Sequence, residues 1–360
     1  MWPYWIMFLM PAFVALHNSR VSLDSLTNRR LFDLNRAWLG ITVILTLLVG
    51  YRFDVGGDWG NYLRNFEGLR YKNLASVITS GDPGYQITQW ACFQFGWGIY
   101  AVNLICAALF SLGLLIFCRS LPRPWLALSV AVPYLIIVVA MGYTRQGIAI
   151  GLSMLGLVAL GRQSIKTFLF WVVLAATFHK SAVLLLPIAA LAATRRRIWT
   201  VVWVSVITFG VYLAILEKSV DTLYANYIEA EYQSQGALIR LSMNALPAAI
   251  LIVWRRRFEM TLSQMKLWLW LAVISLGLFA LYFVSPASTA IDRVALLMLP
   301  LQIAVFSQVP EVFGSRKSKN VDFTIMVLFY YAAVQFVWLN YASHARYWVP
   351  YQFYPLIDVW

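Results

Sequence analysis

The chain has 360 residues, of which 61% are hydrophobic and only 12% charged, and its mean hydropathy is +0.71. That balance excludes an ordinary soluble domain. The net charge of +13 does not describe a nucleic-acid face, because the basic residues fall in short clusters between apolar runs.

Those runs approach the length of a bilayer, so the expected fold class is all-α, a polytopic helical membrane protein forming a single transmembrane domain over residues 1–360. Trp2–Leu16 has no basic residue before it and no small-residue cleavage site, and reads as a retained first span. A polar loop with Arg20, Arg29, Arg30 and Arg36 follows, then a second span at Ala37–Gly50. Residues 51–97 form a long polar excursion. Further apolar runs lie at 99–118, 124–141, 147–160, 167–193, 198–216, 237–254, 264–284, 291–309 and 321–341.

Most Lys and Arg residues lie in loops 19–36, 119–124, 161–166, 194–197, 254–266 and 310–320, which are therefore placed in the cytoplasm. Residues 167–193 then begin after Lys166 and end before Arg195 on the same side. This predicts two short, broken or re-entrant helices that turn near His179-Lys180, about 12 membrane segments in all, and both termini outside.

The stretch Gly142–Ala149 stands out. Arg145 is the only formal charge from Trp125 to Leu160, so it either snorkels to a headgroup or holds an anionic ligand. In the first outer loop Arg52, Asp54 and Asp58 lie close together, and Gly56-Gly57 permits a turn with positive φ. Trp59, Tyr62, Leu63, Phe66 and Leu69 keep helical spacing and predict an amphipathic helix on the membrane surface, with Asp58 as cap or as reacting group. Asp82-Pro83-Gly84-Tyr85 reads as a helix start, Asp82 capping and Tyr85, Trp90 and Phe93 anchoring.

His179 and Lys180 sit at the predicted break, where an imidazole can act as acid, base or phosphate donor. A second outer loop at 217–236 combines Glu217, Asp221, Glu229 and Glu231 with Tyr224, Tyr227 and Tyr232, which suits sugar binding or a solvated interfacial helix. Asp292 and Arg293 are the only charges between Lys266 and Glu311. Near a helix start the dipole favours Asp292 and not Arg293, which points to an anionic partner for Arg293. His344, Arg346 and Tyr347 follow the last span. Cys92, Cys106 and Cys118 suggest no disulfide framework, and the three scattered histidines suggest no metal site, so no cofactor is expected.

Gly56-Gly57-Asp58-Trp59 with Tyr62, then Asp82-Pro83-Gly84-Tyr85, then Arg145-Gln146-Gly147-Ile148-Ala149, then Phe178-His179-Lys180-Ser181-Ala182, in this order, resemble the EpsG family. Asp292-Arg293 fits as well. The departures are Asp82 where Glu is expected and Trp59 where Tyr or a small residue is expected. These are bacterial inner-membrane exopolysaccharide polymerases, similar to Wzy-type O-antigen polymerases, and a GT-C-like architecture is expected.

The resemblance implies an undecaprenyl-pyrophosphate-linked oligosaccharide as substrate, joined to a second lipid-linked unit at the periplasmic leaflet, with membrane lipids and a chain-length regulator as further partners. Arginine forks suit pyrophosphate. On this reading Arg145 and Arg293 neutralise the leaving group, while Asp58 or His179 serves the acceptor hydroxyl without a metal. Arg52, Asp54, Tyr62, Tyr85, Gln146, Lys180, Asp292 and Arg346 line the substrate site. A flippase for the same lipid-linked sugar and a single-sugar membrane transferase are the rival readings.

Overall fold

The computed structural model describes residues 1–18, 20, 21, 26, 35–79, 81–192, 197–211, 213, 236–285, 288–315 and 319–359. The expected second outer loop, with Glu217, Asp221, Glu229 and Glu231, lies outside these residues, as do Arg29, Arg30, Arg195, Arg196, Arg316 and Lys317.

Among the described residues six helices are long and apolar enough to cross a membrane: Gly98–Arg119, Thr144–Gly161, Ala237–Arg257, Leu262–Tyr282, Ser288–Phe306 and Val321–Tyr341. Shorter apolar helices run over Trp2–His17, Arg36–Gly50, Pro124–Ala140, Ile165–Phe178, Lys180–Ala192 and Ile198–Val211. The chain is thus a polytopic helical membrane protein.

Helix Thr144–Gly161 is the centre of the bundle. Its apolar window is 89% buried, against 28% for Val321–Tyr341, whose remaining surface suits lipid. Glycine permits this depth. A Cβ on Gly113 would lie 2.0 Å from the Gly151 carbonyl oxygen, and one on Gly151 would lie 2.7 Å from the Phe110 Cα, so the two helices cross at backbone contact. Gly151→Val is expected to cost at least about 1–3 kcal/mol through overpacking, read as a lower melting midpoint of the detergent-purified protein. An unchanged midpoint would refute the close crossing.

The helix from Pro124 passes into a π-helix at Val132–Ala140. Pro133 contributes no amide donor there, and the indole of Trp348 donates to the Ile137 carbonyl at 2.7 Å.

The two ends of the bundle differ. At one, Arg20 pairs with Glu259, the Val21 amide donates to the Pro122 carbonyl, and buried Arg123 donates to Glu311 at 2.8 Å and to the Lys319 carbonyl at 2.7 Å. Several of the basic loops expected in the cytoplasm therefore share an end. At the other end the Tyr4 hydroxyl donates to the Trp348 carbonyl at 2.6 Å, and the Tyr351 hydroxyl to the Leu48 carbonyl at 2.7 Å. Here strand β1 (Arg52–Phe53) pairs antiparallel with strand β2 (Gln352–Phe353), a small exception to the all-helical expectation that joins the first loop to the C-terminal tail.

The amphipathic helix is real but its setting differs from expectation. Helix Trp59–Glu67 buries Trp59, Tyr62 and Phe66 against protein, not lipid. Each ring has an aromatic partner in the bundle or the neighbouring loop helix: Tyr100, Tyr85 and Phe93. Helical spacing identifies an apolar face but not what covers it. Tyr85 is likewise an interior residue, not a membrane anchor.

Candidate functional site

Thr144–Gly161 starts after a break at Gly142-Tyr143, and tertiary contacts set its position. A Cβ on Gly142 would lie 2.3 Å from the Trp348 ring, so the tail presses on bare backbone. From the other side comes Gly56, at φ +104°, whose own Cβ would lie 2.9 Å from the Gly142 Cα. The Gly56 amide donates to the Tyr347 carbonyl at 2.9 Å. Three segments distant in sequence thereby fix Tyr143, Arg145 and Gln146.

Arg145 Nη1 lies 3.0 Å from Asp82 Oδ2, and the other oxygen of that carboxylate accepts the Lys180 amide at 3.2 Å. The side chain of Arg145 is 43% exposed, so the guanidinium has an open edge beyond its partner. The Tyr62 hydroxyl also interacts with it. Asp82 occupies the cap position of Pro83–Gln94 but makes no side-chain cap bond. That corrects the capping expectation: a charged donor and a free amide from other elements claim both oxygens. Burial raises the Asp82 pKa, while Arg145 and Lys180 pull it the other way.

His179 ends Ile165–Phe178 with an extended backbone, φ −156° and ψ 118°, before the 3-10 turn Lys180–Leu185. The chain thus breaks at the expected place. Nδ1 lies 2.6 Å from the Ser181 hydroxyl and accepts from the Ser181 amide at 3.4 Å. An amide can only donate, which assigns the ring proton to Nε2. Among the described residues Nε2 has no hydrogen-bond partner. The charges of Arg145, Arg293 and Lys180 all act on this ring.

The Arg293 guanidinium lies over the Tyr143 ring, 5.3 Å from its centroid, and its carbonyl accepts from Gln146 at 2.9 Å. No carboxylate among the described residues forms an ion pair with Arg293. This arginine falls in the second turn of the span Ser288–Phe306, which continues through a 3-10 turn at Leu296–Met298, so the helix dipole does not favour a cation there, as the sequence implied. Adjacent helical residues point in different directions, and Asp292 turns instead to Arg240, which grips it through two bonds of 2.7 Å.

Asp82 and Tyr143 are cluster residues absent from the site expected from sequence, as is Arg240, the partner of Asp292. For Arg240 the signal was present: it is a lone arginine inside the apolar run 237–254, as Arg145 is in its own.

Asp58 begins Trp59–Glu67 without a side-chain cap bond, and its charge acts on Tyr62 and Tyr143. Its carboxylate has no hydrogen-bond partner among the described residues. Of the remaining candidates, Arg52 and Tyr85 are buried beside the cluster, and Asp54 and Arg346 are exposed. Arg52 is 1% exposed, donating to the Val49 carbonyl and to the Thr144 hydroxyl, each at 2.6 Å, with its plane near Trp59. It is enclosed, not open to a ligand, and holds the start of the arginine-bearing helix. Tyr85 is buried against Tyr62, Asp54 is exposed at φ 48°, and exposed Arg346 bonds the Tyr347 hydroxyl at 3.1 Å.

Thr144→Val would strand a buried guanidinium donor, at an expected cost of about 1–3 kcal/mol, whereas Thr144→Ser keeps the acceptor. Thermal unfolding of the two variants checks this, and equal stabilities would refute the contact.

The cluster therefore joins Asp58, Tyr62, Asp82, Tyr143, Arg145, Gln146, His179, Lys180 and Arg293. Three cations face two carboxylates, one of them committed to Arg145, and two guanidinium groups keep open faces. That excess positive charge beside a free carboxylate and a free imidazole N–H suits a large phosphate-type anion. Among the described residues no three His, Cys, Asp or Glu side chains gather as metal ligands.

A family model described as the EpsG family matches residues 35–353, nearly the whole chain. No curated protein and no solved structure matches it.

Proposed function

The chain belongs to the EpsG family, and on that premise we propose that it is a bacterial polysaccharide polymerase acting on undecaprenyl-pyrophosphate-linked oligosaccharides. Membership itself supports an exopolysaccharide-polymerase-like function. The observation that carries the finer reading is the open face of Arg145, held by Asp82, beside the unpaired Arg293.

In the proposed reaction an acceptor sugar hydroxyl of one lipid-linked unit attacks the anomeric carbon of another. The C–O bond to pyrophosphate breaks, its electron pair leaves with undecaprenyl pyrophosphate, and the hydroxyl proton passes to Asp58. Arg145 and Arg293 bind the pyrophosphate as its charge grows, a differential stabilisation that speeds the chemical step. His179 donates from Nε2 to a pyrophosphate oxygen, and Lys180 adds charge. Tyr62 and Gln146 orient the arginines.

The six long and six shorter apolar helices make up the twelve segments of this reading. The basic loops face the cytoplasm, and the site and both termini face the periplasm of the inner membrane. A chain-length regulator is a proposed partner.

The test is reaction of the purified protein with lipid-linked repeat units, with and without EDTA, read as a ladder on a gel. A ladder in both conditions is the expected result. If wild-type protein that binds the lipid makes no ladder, the reading moves to a flippase or a single-sugar transferase.

A further inference from the structure

A cavity of about 340 Å³ opens at the end of the bundle remote from the arginine cluster. It lies among helices Gly98–Arg119, Thr144–Gly161 and Leu262–Tyr282, where the loops after Arg119, after Gly161 and before Leu262 meet. Its floor is apolar: Phe117 and Trp268 meet edge to face at 5.9 Å, and Val158 stands beside them. Its rim is polar, with Ser120, Arg162 and Gln264. Gln264 packs over Gly161, where a Cβ would meet its Cγ at 3.2 Å, so the glycine leaves room for the rim.

Arg162 is exposed to this opening and makes no ion pair or side-chain hydrogen bond among the described residues. A cation above an apolar recess, at the depth where helices end and basic loops begin, matches an amphiphile with an anionic head. Basic pockets between membrane helices take such headgroups. The volume is at the lower end for a ligand pocket, enough for a head and the first part of the chains.

We propose that this cavity binds one anionic glycerophospholipid, its phosphate on Arg162 and the upper acyl chain on Phe117, Val158 and Trp268. On the orientation proposed above, this is a lipid of the cytoplasmic leaflet. The site does not depend on the polymerase reading and requires only that the chain spans a bilayer.

The experiment is native mass spectrometry of the full detergent-purified chain, dosed with phosphatidylglycerol or with phosphatidylcholine of the same acyl chains. One saturable phosphatidylglycerol adduct is expected, preferred over phosphatidylcholine about five-fold, as one surface cation confers. Arg162→Glu should abolish the preference. Val158→Trp, which fills the floor while keeping every charge, should weaken both adducts. Arg256→Glu, at an exposed cation outside the cavity, should change neither.

A phosphatidylglycerol preference kept in Arg162→Glu, or undiminished adducts in Val158→Trp, overturns the proposal. So does an equal loss on Arg256→Glu, which would mean adhesion to the basic end in general. Glycerol 3-phosphate should fail to compete, and displacement of the lipid at equal concentration would reassign the site to a free phosphate ester. Melting midpoints confirm that each variant is folded, and either cavity variant alone, if folded, decides the question.

Discussion

Replacing Arg145 by alanine is expected to lower polymer formation by about 10²–10³-fold, the scale set by removing one preorganised donor at a developing charge. The guanidinium has two duties here. One nitrogen holds Asp82 at 3.0 Å, and the side chain as a whole remains 43% exposed. Lysine offers a point charge in place of a fork and cannot serve both, so Arg145→Lys is expected to be nearly as inactive.

Removing the arginine also leaves the buried Asp82 carboxylate without its ion-pair partner, keeping the Lys180 amide and the more distant Lys180 charge. Breaking one member of such a pair is destabilising in its own right. The informative comparison adds Asp82→Asn to Arg145→Ala. The neutral amide relieves the stranded charge, so the double variant should regain protein level and melting midpoint while staying inactive. If activity returned together with stability, Arg145 would be a structural residue and its role on pyrophosphate would be refuted.

The second large effect separates Asp58 from His179. In the proposed reaction His179, with its ring proton on Nε2, is a donor toward the cluster, and Asp58 is the base. Glutamine presents an amide N–H near the same position, so His179→Gln is expected to stay within about tenfold of wild type, whereas His179→Ala should lose about 10²-fold or more. Asp58→Asn keeps the shape of the side chain but cannot take up the acceptor proton, and is expected to lose about 10²–10⁴-fold. Single-turnover rates with a fixed lipid-linked donor and acceptor measure this. A glutamine variant as inactive as the alanine one, with Asp58→Asn still active, would exchange the two roles.

Much of this molecule is local in origin. Apolar runs of membrane length and basic clusters between them dictate a helical membrane protein, because unpaired backbone groups are not tolerated in hydrocarbon. Clustered basic residues also indicated which loops share an end, and there Arg20 pairs with Glu259 and Arg123 with Glu311. Lone charges inside apolar runs, Arg145 and Arg293, were legible for the same reason: each costs too much to lack a purpose. So was the break at His179, from two basic flanks that one helix could not separate.

Partners were not legible. Spacing along a helix says which side chains share a face, but which carboxylate meets which arginine is decided where helices cross. Asp82 looked like a cap and instead holds Arg145. Asp292 was expected to line the substrate site, and its carboxylate is held by Arg240. Arg52 looked open and is enclosed by Val49 and Thr144. The tail from Tyr347 to Phe353 has no periodicity that announces its contacts, yet it seats Trp348 on Gly142 and pairs with the strand at Arg52. Sequence alone determined the solvent, the helices and the residue types able to bind a large anion, because each follows from transfer energies along the chain. Only the tertiary structure decided which charges remain available to a ligand, because that depends on which of them packing has already paired.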